Sequence, residues 1–253
     1  PMLANVVIVD GSPKEMMEFS LDYKDKPIIS SYMNDMLKDG RDIAIASEQR
    51  LYTITILDYA KTIDPYIPIL KYDRKGIEIK GSALLDGDRM VGEINKEQTI
   101  LLNLMTGEKK NGRYILNQSV PDESISDIRQ GAAFIITSAK SRINVYAGNE
   151  EKPRADIELM IKLRVEEFAG PLYLEDDKMK KKLEELLTGS IQSECLEIIK
   201  ILQNTGSDPL GIEEKVRVKY NEIWKTMNWA EQYKEMQISV NIRVTVESYG
   251  VLD

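Results

Sequence analysis

Carboxylates are the side chains of this sequence that could carry acid–base chemistry, because its 253 residues include 42 Asp and Glu and no His. Two acidic pairs, Glu166-Glu167 and Asp176-Asp177, stand close together in the sequence. A glycosidase uses two convergent carboxyl groups, so these pairs are the first candidates for hydrolysis. However, Glu166 continues the polar face of a predicted strand, and the Asp pair precedes a helix, where negative charge is favoured. We therefore expect solvated faces and caps here, and we predict no catalytic residue.

The residue types that are scarce or missing exclude much catalytic and metal chemistry. Without histidine there is no Ser-His pair and no imidazole ligand, and the single cysteine, Cys195, allows no internal disulfide and no cysteine metal cage. Cys195 lies on the apolar stripe of a predicted helix, where a thiol acts as a small hydrophobic side chain rather than a reactive group. We expect no cofactor and no metal ion.

The segment DGDR, residues 86–89, could belong to a cation or phosphate loop. It lacks the acidic spacing of an EF-hand and the Gly-Lys-Ser/Thr ending of a P-loop. Between apolar strands, Asp-Gly indicates a tight hairpin turn, in which glycine supplies the positive φ. We therefore predict a hairpin. A helix should follow, with Asn95 and Gln98 as a capping box and Gly107 at its end.

Basic and aromatic residues offer two further candidate surfaces. The run KMKKK, residues 178–182, begins a predicted long helix, and lysines near a membrane can contribute about 1 kcal/mol each through anionic headgroups. A solvated helix face is the commoner reason for such a run, so membrane surface contact stays an open alternative. Trp224 and Trp229 could form a ligand platform, although aromatics at helical spacing usually belong to the core. The net charge of -8 disfavours nucleic acid as a partner.

Alternating polarity predicts two strands, over residues 155–168 and 236–250, and we expect them to be antiparallel and to share a sheet. Between them, Asp177 to Asn204 predicts the longest helix, which should lie across the apolar face of that sheet. A second helix is expected at about Ile212 to Met227. The apolar stripe of the long helix consists of Met179, Leu183, Leu186, Leu187, Ile191, Cys195, Ile198, Ile199 and Leu202.

The first part of the chain predicts a smaller set of elements. The segment VVIVDG is typical of a strand, and a helix should begin at Ser12 with Pro13 in its first position. Residues 27–40 predict a second helix that ends at Gly40. Residues 50–64 contain an apolar run that fits either a helix or a strand.

These elements predict an α+β fold: an antiparallel sheet covered by a long amphipathic helix, with a smaller N-terminal α/β remnant. We expect residues 1–75 to be the remnant of an N-terminal domain and residues 76–253 to form a C-terminal region. Within that region, 76–130 should hold a hairpin and a helix, and 131–253 a sheet with long helices. No run approaches the roughly 18 to 20 apolar residues that cross a bilayer, so the sequence as given is expected to be soluble.

The order of these segments resembles the Ger(x)C family, the lipoprotein C subunits of bacterial spore germinant receptors. The resemblance is loose in LYTITILDYAKTIDPYIPIL and firmer from Gly81 onward, through ADIELMIKLRVEEF, LQNTGSDPLGI, KYNEIWKTM and MQISVNIRVTVESYG. The Tyr-Pro that usually precedes the tryptophan of the family is replaced by Tyr220-Asn221. Six residues fall where the family pattern expects them: Gly81, Met90, Val91, Gly92, Glu97 and Leu102.

The resemblance implies a non-enzymatic subunit that acts in receptor assembly and nutrient-triggered spore germination. Its partners would be the A and B membrane subunits of the receptor, and in full length it would be lipid-anchored on the outer face of the spore inner membrane. The signal peptide and lipid-bearing cysteine of the family would then precede this sequence. Two alternatives stay open: a module that binds the small germinant between the two regions, and a carboxylate-dependent hydrolase. No ligand-binding residue is predicted.

Overall fold

The computed structural model describes residues 4–19, 29–47, 50–73, 76–107, 112–116, 132–148, 152–167 and 177–247. Within these residues the strands form two four-stranded sheets, in the orders β1-β2-β3-β4 and β5-β6-β7-β8. The strands are β1 (Ile8–Val9), β2 (Tyr66–Asp73), β3 (Gly76–Asp86), β4 (Arg89–Asn95), β5 (Gly112–Leu116), β6 (Ala132–Tyr146), β7 (Arg154–Glu167) and β8 (Gln237–Val246).

The helices pack against both sheets, and the mixture of helices and sheets confirms the predicted α+β class. The helices are α1 (Pro13–Phe19), α2 (Ile29–Asp42), α3 (Leu51–Ala60), α4 (Lys96–Thr106), α5 (Asp177–Thr205), α6 (Ile212–Lys219), α7 (Asn221–Trp224) and α8 (Trp229–Glu235).

The hairpin predicted around residues 86–89 is confirmed. Asp86 pairs with Arg89, so β3 and β4 are joined by the two-residue turn Gly87-Asp88, and Gly87 has a φ of 59°. Only glycine adopts this left-handed conformation without steric cost. The turn therefore sets the register of the first two pairs, Asp86–Arg89 and Leu85–Met90, and the register shifts by one residue between Leu85 and Leu84.

Helix α4 lies in the centre of the molecule and begins as predicted. The Asn95 side chain accepts a hydrogen bond from the Gln98 N–H, the Gln98 side chain accepts one from the Asn95 N–H, and Gly107 ends the helix with a φ of 79°. Seven consecutive residues of this helix are buried, because elements of both sheets surround it. The local capping signals therefore position an element that the whole core encloses.

Buried polar bonds tie α4 to the first part of the chain. The Tyr66 hydroxyl donates to Asn103 Oδ1 at 2.7 Å, and Asn103 Nδ2 donates to the Ala44 carbonyl at 2.6 Å. Such groups need partners, since an unpaired buried polar group costs about 1–3 kcal/mol. These bonds and the β2–β3 pairing cross residue 75, and the division into two regions at that point stays a prediction.

The second sheet corrects one detail of the expected architecture. The strands predicted at 155–168 and 236–250 share this sheet as β7 and β8, but they are parallel to each other, with Ile157 opposite Val240; the antiparallel pairs are β5–β6 and β6–β7. Helices α5 to α8 all lie between β7 and β8 in the chain, and a parallel pair requires such a long crossover. The alternation of polarity predicts which face of a strand is buried but gives no information about its direction.

Helix α5 covers the second sheet with the predicted stripe. The helix contacts β8 most extensively, and its stripe joins the same core cluster as the inward side chains of β6, β7 and β8. Leu186 is only partly buried, and the side chain of Met179 lies outside the described residues. The fully buried members are Leu183, Leu187, Ile191, Cys195, Ile198, Ile199 and Leu202.

Two predicted helix ends were wrong. Helix α2 continues through Gly40 to Asp42, and a Cβ at Gly40 would lie 2.5 Å from Ile79 Cδ1, so this glycine allows close packing on β3. The helix expected at about 212–227 is interrupted at Tyr220, whose φ of −132° separates α6 from α7. Residues 51–60, which fitted either a helix or a strand, form α3.

Candidate functional site

Three carboxylates converge where three connecting segments meet: the loop before β2, the β3–β4 turn and the loop between α5 and α6. Asp64 Oδ1 accepts a hydrogen bond from the Gly87 N–H at 3.0 Å, and Asp64 Oδ2 accepts one from the Asp208 N–H at 2.8 Å. The Asp64 N–H in turn donates to the Asp208 carbonyl at 3.2 Å. We call Asp64, Asp208 and Glu213 the acid cluster.

Asp208 also supports the first turn of α6. The residue before this helix is Gly211, which has no side chain to cap it, and Asp208 Oδ2 accepts from the Glu213 N–H at 2.8 Å instead. The first N–H groups of a helix have no partner within the helix, so a carboxylate there is stabilising. The local sequence thus explains why an acidic side chain is buried at this position.

Burial governs the electrostatics of the acid cluster. Desolvation is the largest cause that raises the pKa of Asp208 to about 6, and the charge of Asp64 adds to it. Desolvation likewise raises the pKa of Glu213 to about 7, against the hydrogen bond from Trp224. Burial also raises the pKa of Asp64. Full ionisation of the acid cluster is therefore disfavoured.

Both tryptophans lie beside the acid cluster. Trp224 Nε1 donates to Glu213 Oε1 at 3.0 Å, and the ring of Trp229 stacks on Tyr233 with centroids 5.9 Å apart. The buried Tyr233 hydroxyl donates to the Ser207 carbonyl at 3.1 Å. These aromatic side chains pack against the main core, so they act here as structural supports of the cluster.

The hydrogen bonds limit what the acid cluster can do chemically. A hydrolase needs one carboxyl group that donates a proton to the leaving group and a second that attacks or activates water. Both oxygens of Asp64 and one oxygen of Asp208 are held by backbone N–H groups. Within the described residues, no three His, Cys, Asp or Glu side chains are arranged to hold a metal ion. The acid cluster therefore has the geometry of a structural link, in which hydrogen bonds connect three loops.

The sequence contains one local signal for two members of this cluster, a proline directly after the aspartate. Asp64 precedes Pro65 and Asp208 precedes Pro209, and Asp-Pro favours the start of a turn. Of the two acidic pairs that were the sequence candidates for hydrolysis, Glu166 is exposed on β7 and Asp177 is exposed at the start of α5. Asp176 and the side chain of Glu167 lie outside the described residues.

A second polar arrangement joins α5 to the edge of the second sheet. Glu184 Oε1 accepts from the Val246 N–H at 2.8 Å, and Thr188 Oγ1 accepts from the Val244 N–H at 3.3 Å. One turn further on, Gln192 Nε2 donates to the carbonyl of β8 residue 240 at 2.8 Å. Residues four apart lie on one face of a helix, so these three side chains satisfy backbone groups along the edge strand.

A groove of about 390 Å³ lies beside this edge. Lys181 and Glu185 line it, and neither forms an ion pair with another described residue. Of the basic run at 178–182, Lys178 and Lys181 are exposed. Lys178 and Lys182 make contacts of their own, so the run is not a row of free cations.

Cys195 is buried on the inner side of α5. Desolvation raises the pKa of its thiol far above the ordinary range, and the charge of Glu194 adds to this effect. The thiolate is the reactive form of cysteine, so the thiol is unreactive in the folded protein.

An apolar surface is exposed on α3. None of its ten residues is buried, and Tyr59 is 90% exposed. Tyr52, Ile56 and Leu51 are also exposed, at 53%, 47% and 45%. Contiguous apolar patches on a protein surface mark interaction sites.

Comparison with known proteins assigns this architecture. Residues 80–250 match the family model described as "Spore germination B3/ GerAC like, C-terminal". The chain belongs to the Ger(x)C family of germinant receptor C subunits. The match spans the second part of β3, all of β4, the central helix α4 and the whole second sheet, so the resemblance seen in the ordered segments is confirmed.

Individual relatives of the Ger(x)C family support the assignment. The chain is 22% identical to the spore germination protein GerQC of Bacillus cereus over 91% of its own length and 62% of that protein. It is 24% identical to YfkR of Bacillus subtilis (strain 168), over 97% of its length and 59% of that protein. The chain therefore spans about 60% of the length of the curated relatives it matches.

A solved structure of the family shares the fold. The crystal structure of the GerBC protein superposes with a TM-score of 0.72 at 16% identity, over 98% of this chain and 70% of the GerBC chain. Within the described residues, no helix is both long enough and apolar enough to cross a bilayer.

Proposed function

We propose that this chain is the part of a spore germinant receptor C subunit that acts through protein surfaces, in receptor assembly and nutrient-triggered germination. The observation that carries the proposal is the family match over residues 80–250. The name of the Bacillus cereus relative, a spore germination protein, supports the same process.

We further propose that the subunit is not an enzyme. Backbone N–H groups donate to Asp64 and Asp208, and each of the two Asp64 oxygens already accepts such a bond. In the acidic pairs of β7 and α5, the described side chains of Glu166 and Asp177 are exposed to solvent. A carboxylate-dependent hydrolase has no matching geometry in the described residues.

The full-length protein would be lipid-anchored on the outer face of the spore inner membrane, beside the A and B membrane subunits. A single acyl chain gives only marginal membrane binding, so contacts with partner subunits should contribute to retention. The lysines of 178–182 would add a weaker contact with anionic headgroups.

The experiment compares spores that contain or lack the A and B subunits. Membrane fractions are washed at low and high salt, and the full-length C subunit is quantified together with any co-purifying A or B subunit. We expect the C subunit to copurify with its partners and to be lost from membranes when they are deleted. Equal retention in both strains, without copurification, would contradict the assembly role.

A second candidate function is binding of a small germinant, which the groove beside β8 favours. Lys181 and Glu185 offer opposite charges, and neither is ion-paired with another of the described residues, an arrangement suited to a zwitterion. A thermal-shift panel of amino acids, sugars and nucleosides tests it, because a ligand at 100 times its Kd stabilises by about 2.7 kcal/mol. A shift that Lys181→Ala removes and Lys200→Ala keeps would support this function, and no shift across the panel would oppose it.

A further inference from the structure

Helix α3 has a composition that does not match its exposure. Its sequence, LYTITILDYA, contains one charged residue, Asp58, and a helix that is apolar on all sides is normally buried. Here only Ile54 packs against the small core cluster of Ile67, Ile69, Ala83 and Leu85. Tyr52, Ile56 and Tyr59 face outward at i, i+4 and i+7 spacing and are exposed.

The strand beside α3 has an edge with no partner strand among the described residues. β1 is the outermost strand of the first sheet and pairs, within the described residues, with β2 alone. Proteins usually protect such edges by keeping the strand short or by placing lysine, proline or a bulge there. β1 is two residues long, the segment ANVVIV, residues 4–9, contains neither lysine nor proline, and Val6 to Val9 are half-buried.

The two features adjoin. The Leu51 N–H at the start of α3 donates to the Ala4 carbonyl at 3.0 Å, and Asn5 forms an isolated antiparallel bridge with Arg50. Val6 and Ile8 of the edge contact the same cluster as Ile54 of α3. The open strand edge and the apolar helix face therefore belong to one surface, which we call the α3 surface (residues 4–9 and 51–59).

The chemistry of the α3 surface selects its occupant. A ten-residue helix is about 15 Å long, half the hydrocarbon thickness of a bilayer, and lipid cannot satisfy the N–H and C=O groups of an open strand edge. A polypeptide strand can satisfy them while its side chains cover the helix. The relatives of this chain are longer than the part it matches, so they contain further polypeptide that needs a packing partner.

We propose that the α3 surface binds a further segment of the same full-length polypeptide, which adds to β1 as an extended strand and covers Tyr52, Ile56 and Tyr59 with apolar side chains. The proposal does not depend on the receptor role. It assigns the exposed apolar helix as an internal docking surface rather than as a contact for membrane, ligand or receptor partner.

Thiol labelling tests the proposal, because the native Cys195 is buried and unreactive. Ile56→Cys and a control, Val218→Cys, are made in the 253-residue chain and in the full-length polypeptide without its lipid. Val218 is 69% exposed, lies on α6 and is not one of the residues of the α3 surface. We expect Ile56→Cys to react at least tenfold more slowly in the full-length form, and Val218→Cys to react equally in both.

Each other occupant gives a different result. Equal labelling of Ile56→Cys in both forms overturns the proposal. So does protection that grows with the concentration of the 253-residue chain, which indicates a second copy, or protection that requires anionic vesicles, which indicates membrane. Hydrogen exchange provides a second measurement that needs no substitution, since amides of residues 5–9 should gain protection in the full-length form.

Discussion

Asp64 Oδ2 accepts a hydrogen bond from the backbone N–H of Asp208 at 2.8 Å, although 144 positions separate the two residues. The other oxygen of the same carboxylate accepts from Gly87 at 3.0 Å. One side chain therefore joins the loop before β2, the β3–β4 turn and the loop that leads from α5 to α6. Because both contacts are with backbone groups, Asp64 connects these segments whatever side chains they carry.

Substitution Asp64→Ala should lower the free energy of unfolding by about 2 kcal/mol or more, because it leaves two backbone N–H groups without their acceptor. Asp64→Asn retains one carbonyl oxygen and should lose less. Urea unfolding measures both. Asp58→Ala, an exposed acid on the neighbouring helix α3, is the control and should change stability by at most about 0.5 kcal/mol. Equal losses of unfolding free energy for Asp64→Ala and Asp58→Ala would show that the hydrogen bonds of Asp64 do not stabilise the fold.

The acid cluster should make the protein less stable as the pH rises. Between about pH 4 and pH 7, Asp208 and Glu213 bind more protons in the folded protein than in the unfolded chain, since the pKa of Asp208 is raised to about 6 and that of Glu213 to about 7. The unfolding free energy therefore falls with increasing pH in this window. For Asp208 alone, the rise from 3.8 to about 6 corresponds to about 3 kcal/mol.

Urea unfolding at pH 4.5, 6 and 7.5 measures this dependence, and Asp208→Asn should flatten it. An amide oxygen can still accept from the Glu213 N–H but carries no charge at any of these pH values. Asp88→Asn, an exposed turn residue, serves as the control and should leave the slope unchanged. A slope that is the same in Asp208→Asn and in the unsubstituted chain would refute the role of Asp208.

Features of the fold that depend on neighbouring residues could be predicted from the sequence. The Asn95–Gln98 capping box and the Gly87-Asp88 turn are formed within four residues, so local chemistry determines them. The parallel direction of β8 depends instead on how α5 to α8 cross the sheet, and no residue of β8 encodes it. Gly40 was mistaken for a helix end because the contact that requires it, with Ile79, lies on a distant strand.

The candidate site was harder to predict for the same reason. The acidic pairs at 166–167 and 176–177 were the sequence candidates for a site because their members are adjacent in the sequence. Asp64 and Asp208 are 144 positions apart and meet only in the tertiary structure, and each looks like an ordinary turn residue before a proline. Similarly, the apolar run at residues 50–64 fitted either a helix or a strand, and only the structure shows that it forms α3 with its apolar face exposed.

Two glycines should respond to alanine in opposite directions. A Cβ at Gly81 would overlap the Ile94 carbonyl oxygen and lie 2.9 Å from Asn95 Cα, both backbone atoms that cannot move aside. Gly81→Ala should therefore cost at least about 3 kcal/mol or prevent folding. Gly189 is exposed within α5 with nothing within 4 Å of its added Cβ, so Gly189→Ala should stabilise by about 0.5–1 kcal/mol.

Thermal and urea unfolding of the two variants test this contrast within one protein. If Gly81→Ala does not fold, the variant should be insoluble while Gly189→Ala is soluble and more stable. This result would also support the predicted contrast. A stable Gly81→Ala would mean that β3 and β4 can separate at this point. A destabilised Gly189→Ala would mean that α5 does not tolerate a side chain at position 189, on the side of the helix that faces the groove.

The polar side chains of α5 should protect the edge of β8 from self-association. In the double variant Glu184→Ala/Thr188→Val, the N–H groups of Val246 and Val244 lose their acceptors, so unfolding free energy should fall by about 1 kcal/mol per bond. An edge strand with unpaired groups is a template for another chain, so the variant should also form oligomers as its concentration increases. Light scattering and urea unfolding measure the two effects.

The matched control lies on the outer face of the same helix. Ser193→Val/Glu197→Ala likewise replaces one hydroxyl and one carboxylate side chain four residues apart, but at exposed positions, and it should alter neither stability beyond about 0.5 kcal/mol nor the oligomeric state. If both double variants associate equally, added apolar surface alone is the cause, and the hydrogen bonds to β8 have no protective role. If only Glu184→Ala/Thr188→Val associates, the i, i+4 polar pair on α5 serves as a cover for the edge strand, because it occupies the backbone groups that a second chain would otherwise bind.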